Sequence, residues 1–250
     1  MITFEDASTL SLLYHLNSEP WLNTEAYQGS AYEVEYRKLG RPGSALPLPA
    51  APRSPLQTLI EERCSCRRYQ RRPMPLATVA ALLSAAYGLT RTAHFPDQTS
   101  YLCRSVPSAG GLYPLEIFAL MQRVEGAADG LHHYDVWNHA LEPLPAGPAF
   151  EDFRSAMLAF PFVQDANVIF FLAAMFGRTQ KKYGPRGYRY VLLEAGHSAQ
   201  NICLLAAQSG LGSLCIGGFF DTKVNRLLAL DPSKEGVVYA VAAGYPEVAS

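Results

Sequence analysis

YRYVLLEAGHSAQNICLLAAQ, residues 188–208, contains no proline and one glycine, Gly196, before a stop at Gly210. That spacing predicts a long helix, apolar over most of its circumference and therefore placed near the centre of the structure. Outward from it, LEIFALMQRV (115–124) and NVIFFLAAM (167–175) are short apolar runs rich in β-branched and aromatic residues, which suit buried strands better than short helices. Leu76, Val79, Leu82, Leu83 and Ala86 recur at helical spacing after Pro75, with Gly88 as the stop. GLHHYDV and ALEPL read as a hairpin on a sheet edge. CIGGFF, a turn at Asp221, a short helix to Leu230 and the strand GVVYAVAAGYP close the chain. Strands and helices mix without a strict βαβ rhythm, so the fold class is α+β, a central, mostly antiparallel sheet flanked by helices. QKKYGPRGYRY (180–190) holds Gly184, Pro185 and Gly187 and reads as an irregular loop dense in protonatable groups. Such a loop is either a solvated connection or a means of delivering a proton-transfer group into a pocket.

Composition narrows the class of function. The chain has 250 residues, 49% of them hydrophobic, enough to bury a sizeable core. Lys and Arg total 21 against 22 Asp and Glu, a net charge of −1, so no global field would hold a nucleic acid or an anionic bilayer. The amino terminus lacks a basic start and a long apolar run, and the chain reads as soluble and cytoplasmic. Its five cysteines, Cys64, Cys66, Cys103, Cys203 and Cys215, are odd in number and scattered, which argues against a disulfide framework. Cys64 and Cys66 lack the second pair that structural zinc needs, so no metal site is expected, and Cys203 and Cys215 read as buried apolar fillers. RPGSALPLPAAPRSP (41–55) is an extended connector that separates an N-terminal segment, together residues 1–55, from the main domain at 56–250.

Several short motifs admit two readings. Gly196-His197-Ser198-Ala199-Gln200 nearly spells a nucleophile elbow, but the final glycine is missing and helical phase runs straight through, so a packed helix takes precedence over a serine hydrolase. Gly210-Leu211-Gly212 and Gly217-Gly218 lack the spacing of a dinucleotide or Walker loop; they read as a helix cap and a strand end, or as backbone close to a flat or anionic ligand. In RCSCRRY (63–69), an extended chain would turn Arg63, Ser65 and Arg67 to one side, towards one anion such as a phosphate, or the stretch is a solvated basic turn. Pro107-Ser108-Ala109-Gly110-Gly111-Leu112-Tyr113-Pro114 fixes the chain at both ends and strips side chains from its middle, a turn on which something flat could lie.

In this order, RCSCRRY, PSAGGLYPLEIF, KYGPRGYRYVLLEAGHSAQN, GLGSLCIGGFFD and VAAGYP resemble the SagB-type (McbC-like) branch of the nitroreductase superfamily, over about Arg63 to Pro246. The resemblance implies an α+β homodimer with FMN at the subunit interface. It also implies an FMN-dependent dehydrogenase that oxidises peptide thiazolines or oxazolines to thiazoles or oxazoles. Residues 56–250 would then be the FMN-binding domain. By motif, Arg63, Cys64, Ser65 and Arg67 stand where the family holds the flavin phosphate and ribityl chain. Pro107, Ser108, Ala109 and Gly110 match the segment that reaches the isoalloxazine from the partner subunit, and Gly217 and Gly218 the backbone beside the ring. Lys182 and Tyr183 match the catalytic Lys-Tyr pair. One departure is the carboxyl end, PEVAS, which lacks the basic residue that many nitroreductases use on the phosphate.

Aromatising an azoline requires that the Cα proton leave to a base while a hydride passes from the neighbouring ring carbon to flavin N5. Lys182 is the candidate base, its neutral form favoured by burial and by neighbouring cations such as Lys181 or Arg186, and Tyr183 would orient the ring or relay the proton. The resemblance further implies partners, either a separate ring-forming cyclodehydratase of the YcaO type or a carrier-bound peptide. Two other readings stay open: an NAD(P)H-dependent flavin reductase of nitro, quinone or dehydroamino-acid substrates, and a flavin-free scaffold that holds a peptide.

Overall fold

The computed structural model describes residues 11, 13–15, 17–19, 45–50, 52–94, 100–144 and 147–247. Most of the N-terminal segment expected at 1–55 lies outside them. Within the connector, residues 45–50 and 52–54 are exposed and have no regular structure, as their prolines dictate. Helix α1 (Pro55–Glu62) follows, opened by Ser54, whose side chain accepts from the Gln57 N–H.

A six-stranded antiparallel sheet forms the centre. Its strands are β4 (Leu115–Met121), β6 (Gly130–Asp135), β7 (Ala140–Pro143), β8 (Val168–Met175), β9 (Gly212–Ile216) and β10 (Glu235–Gly244), in the order β7-β6-β4-β8-β10-β9. Two small two-stranded pieces lie outside it, β1 (Met74–Pro75) with β5 (Val124–Glu125) and β2 (Leu89–His94) with β3 (Ser100–Arg104). The β6–β7 hairpin sits at an edge of the main sheet, where sequence put it.

Helices α2 (Leu76–Tyr87) and α5 (Arg186–Gln208) cover one sheet face. The other face is covered by the 3-10 turn Phe150–Ser155, the short α3 (Phe160–Val163) and α6 (Asp221–Leu227). Alternation along β8 shows why its sequence is apolar throughout. Val168, Phe170, Leu172 and Ala174 enter the core beneath α2 and α5, while Ile169, Phe171 and Ala173 enter the opposite one. A strand covered on both faces has no polar side to show.

The observed elements depart from expectation at three points. Residues 180–190 are not a loop: α4 (Phe176–Tyr183) runs through Gln180 to Tyr183, and α5 resumes at Arg186. Gly184 (φ 54°) and Pro185 make the whole break, and Pro185, with φ −61°, is already set for a helix start. Gly187 is a packing glycine rather than a breaker, because a Cβ there would lie 2.9 Å from backbone atoms of Thr179 and Gln180. Second, α5 is a surface layer rather than a central rod: Val191, Ala195, Ala199, Ile202 and Ala206 face the sheet, but Leu192 and Leu193 are exposed. Third, Cys203 is buried as expected but Cys215 is only half-buried, its sulfur 3.5 Å from that of Cys203. Among the described residues, no helix is long and apolar enough to cross a membrane.

Candidate functional site

The motif residues gather in two places. At the first, the chain leaving α1 runs beside the edge strand β9, where Ser65 bridges Ser213 and the Cys66 N–H donates to the Ser213 carbonyl at 2.8 Å. A cavity of about 760 Å³ opens there, lined by Arg63, Cys64, Arg67 and Arg68 and by the Gly210–Ser213 turn between α5 and β9. Among the described residues, neither Arg63 nor Arg67 has a carboxylate within ion-pair distance. Three guanidinium groups face two carboxylates, Glu62 and Glu247, so the cavity carries a positive excess suited to an anion. Ser65, expected to share the anion, is exposed and pairs with Ser213 through its backbone, and it is not among the residues that line the cavity. Arg68, which sequence reasoning left out, does line it.

From this cavity β9 leads directly to Gly217 and Gly218. Gly217 is exposed, and a Cβ built on it would meet nothing within 4 Å, while Gly218 packs against Leu158 and accepts the Leu158 N–H at 3.0 Å. The pair therefore presents bare backbone, open on the Gly217 side.

The second place joins the PSAGG turn to the Lys-Tyr pair. Gly110 has φ 65° and ψ 16°, a left-handed conformation that glycine adopts without penalty. A Cβ on it would lie 2.7 Å from both the Lys182 Nζ and the Tyr183 hydroxyl, so amine and phenol rest against the glycine where a side chain would stand. The Lys182 amine sits 5.4 Å from the Tyr183 ring centroid, and that ring packs edge-on against Tyr190 at 5.0 Å. α4 thus brings both tips to one point on the turn. Pro107 and Gly110 are exposed, and Ser108 and Ala109 are half-buried. Lys182 is also exposed, so the burial expected of a lysine base is not supplied by this chain's own described residues.

These two places lie at opposite ends of the sheet. β9 begins where β10 ends, Gly212 opposite Gly244, whereas β8 ends where β10 begins, Met175 opposite Glu235, and α4 starts from there. Helix α5 spans the same separation: its N-terminal end follows Lys182 by a few residues, and Ala207, near its C-terminal end, lines the cavity. At 1.5 Å per residue its 23 residues extend about 34 Å.

Ser198, the nucleophile of the elbow reading, is fully buried within α5 and its hydroxyl has no hydrogen-bond partner among the described residues, so it cannot meet a substrate.

The profile of the nitroreductase family matches residues 60–245. A Methanocaldococcus jannaschii protein carrying the same family name is 34% identical over 175 residues, 70% of this chain and 84% of that one. The Escherichia coli microcin B17-processing protein McbC is 34% identical over 146 residues, 54% of this chain and 52% of its own length, so the chain matches about half of that relative. The trifolitoxin-processing protein TfxB of Rhizobium leguminosarum is 26% identical, again over about half (48%) of its length. Among solved structures, a chain of the E. coli microcin synthetase McbBCD complex with truncated pro-MccB17 bound superposes with a TM-score of 0.73 at 23% identity, covering 100% of this chain and 96% of that one. A nitroreductase-like protein from Desulfovibrio desulfuricans in complex with FMN gives 0.54 at 20% identity, covering 79% and 89%.

Proposed function

Because the chain belongs to the nitroreductase family of oxidoreductases, whose cofactor is FMN, we propose that it is an FMN-dependent dehydrogenase that oxidises thiazoline or oxazoline rings in a peptide to the aromatic azoles. The observation that carries the reading is the meeting of the Lys182 amine and the Tyr183 phenol on the bare backbone of Gly110. The likeness to two proteins named for processing peptide natural products supports the substrate class.

The residues present fit the cofactor. Arg63, Arg67 and Arg68 would hold its phosphate in the positive cavity, with Cys64 beside them, and the open backbone at Gly217 and Gly218 would take the flat ring system. The five residues of β9 separate these two features by about 16 Å, room for an extended FMN. Lys182 and Gly110 lie at the end of the sheet away from the phosphate cavity and, as the resemblance implies for Pro107–Gly110, would serve the cofactor cradled by another copy of the chain. We read the protein as a homodimer, each site combining the cradle of one copy with Pro107–Gly110, Lys182 and Tyr183 of the other. Leu192 and Leu193 on α5, with Leu56 and Ile60 on α1, offer the exposed apolar surface for such pairing.

When bound, FMN supplies the two-electron acceptor that receives hydride from the azoline ring carbon, and oxygen restores it. Lys182 accepts the Cα proton, a role that requires the second copy and the substrate to desolvate its amine. Tyr183 holds the ring heteroatom or passes the proton on. A ring-forming cyclodehydratase, or a carrier that presents the peptide, must act first, because this chemistry consumes an azoline.

The test is Lys182→Ala in the purified holoenzyme. It should keep the yellow flavin absorbance and the dimer and lose azole formation; full activity would remove Lys182 as the base. The M. jannaschii relative is named a nitroreductase, which points to reduction, and prompt anaerobic bleaching of the flavin by NADPH would support the competing NAD(P)H reductase over our reading.

A further inference from the structure

Behind the PSAGG turn lies a buried carboxyl that no step above uses. Glu194, 2% exposed, projects from the sheet-facing stripe of α5 among Val191, Ala195 and Ser198. Its Oε1 accepts the Tyr87 hydroxyl of α2 at 2.5 Å, and Ser108 of the turn lies close enough to the carboxyl to draw its titration down. Each hydroxyl in turn accepts a backbone amide, Tyr87 from Leu115 at 3.0 Å and Ser108 from Tyr113 at 2.9 Å. Those amides flank Pro114, which has no N–H, and the Pro114 carbonyl accepts the Met175 N–H at 2.8 Å, where β8 meets α4. From β3 the Arg104 guanidinium covers the rings of Tyr87 and Tyr113 at 4.4 and 5.0 Å and faces the same carboxyl.

The pattern requires a group that only accepts. An ionised carboxylate has no proton, so the Tyr87 hydroxyl turns its proton towards it, the Ser108 hydroxyl is free to do the same, and both keep lone pairs for the two amides. A protonated acid or a carboxamide carries its own donors, and one buried hydroxyl proton or one amide then loses its partner. We infer that the Glu194 carboxylate is a positioning residue, which acts through Tyr87 and Ser108 to lock the 107–115 turn so that Gly110 stays against Lys182 and Tyr183. The inference rests on the reading of Lys182 and Tyr183 as the working pair, but its mechanical part does not need that reading. Burial is the largest influence on Glu194 and holds its titration above the usual carboxylate range, against the opposing pull of Ser108, Tyr87 and Arg104. The lock is therefore complete at high pH and opens as pH falls through that raised value.

The test measures hydrogen exchange of the Tyr113 and Leu115 amides in the holoenzyme, corrected for intrinsic rates, beside the pH profile of turnover. In Glu194→Gln both amides should exchange about tenfold faster or more, the loss expected of a charge-assisted hydrogen bond. Turnover should fall with little change in KM, and the faster exchange that wild type shows as pH falls should no longer depend on pH in the variant. Ser108→Ala should release Tyr113 but not Leu115, and Tyr87→Phe the reverse, which separates the relay from general loosening should the Gln variant fold poorly. Unchanged exchange at both amides in Glu194→Gln overturns the inference. Released amides in a protein that oxidises no azoline support the lock and remove the azoline reading instead.

Discussion

Gly110 and Gly111 form a matched pair on which the proposed site can be tested. Both have left-handed backbones, φ 65° and 66°, so alanine at either position carries the same backbone penalty, about 1–2 kcal/mol. At this chain length that lowers Tm by about 2–8 °C. They differ in what the new methyl meets. At Gly110 it would stand 2.7 Å from the Lys182 Nζ and the Tyr183 hydroxyl, whereas at Gly111 it meets nothing within 4 Å. Ordinary contact requires about 3.5–4.0 Å, so both groups must retreat by about 1 Å. A misplacement of that size costs about 100-fold in rate. Gly110→Ala should therefore lose about two orders of magnitude in kcat/KM, and Gly111→Ala should stay near wild type, with equal thermal losses. The assay is azole formation, followed as the loss of two hydrogens by mass spectrometry, at a temperature well below either Tm. Equal rates in the two variants would refute the placement of Lys182 and Tyr183 as the working pair.

Two further variants probe buried polar groups. Ser198→Ala removes a hydroxyl that is fully buried without a partner, so it should keep full activity and gain up to about 1 kcal/mol in a denaturant titration; lost activity would reopen the hydrolase reading. Asp221 faces His15 and Glu19, and burial, followed by the Glu19 charge, raises its pKa from 3.8 to about 7. Its neutral form is favoured in the fold, so its contribution to stability is complete below the ordinary value and is lost as pH rises through about 7. Asp221→Asn should flatten the stability profile across that window and exceed wild type above it, and an unchanged profile would contradict the burial of this carboxyl.

The parts of the fold that were legible in the sequence are those where local pattern and tertiary role agree. β8 was legible because both its faces are covered, which leaves an unbroken apolar run, and α2 because Gly88 ends it where the periodicity stops. α4 was hidden because Gly184, Pro185 and Gly187 look alike as breakers, yet only the first two break the chain and the third is required by contact with Thr179 and Gln180. In the site, the Gly110, Lys182 and Tyr183 meeting was foreseeable only as motif resemblance, since it depends on how α4 packs on the turn. Arg68 was passed over because alternation in an extended strand puts it on the other side from Arg63 and Arg67, whereas all three line one cavity. Glu194 left a trace that was overlooked: a lone carboxyl on the stripe that Val191, Ala195 and Ile202 mark as buried.

The central claim is that each site is shared between two copies, with the phosphate cradle of one and the Lys-Tyr pair of the other. Co-refolding the inactive double variant Arg63→Ala/Arg67→Ala with inactive Lys182→Ala measures it directly. A mixed dimer then holds one site with both parts intact, and random pairing should restore about a quarter of wild-type azole formation. No recovery, with mixed dimers demonstrated by mass, would contradict the shared site.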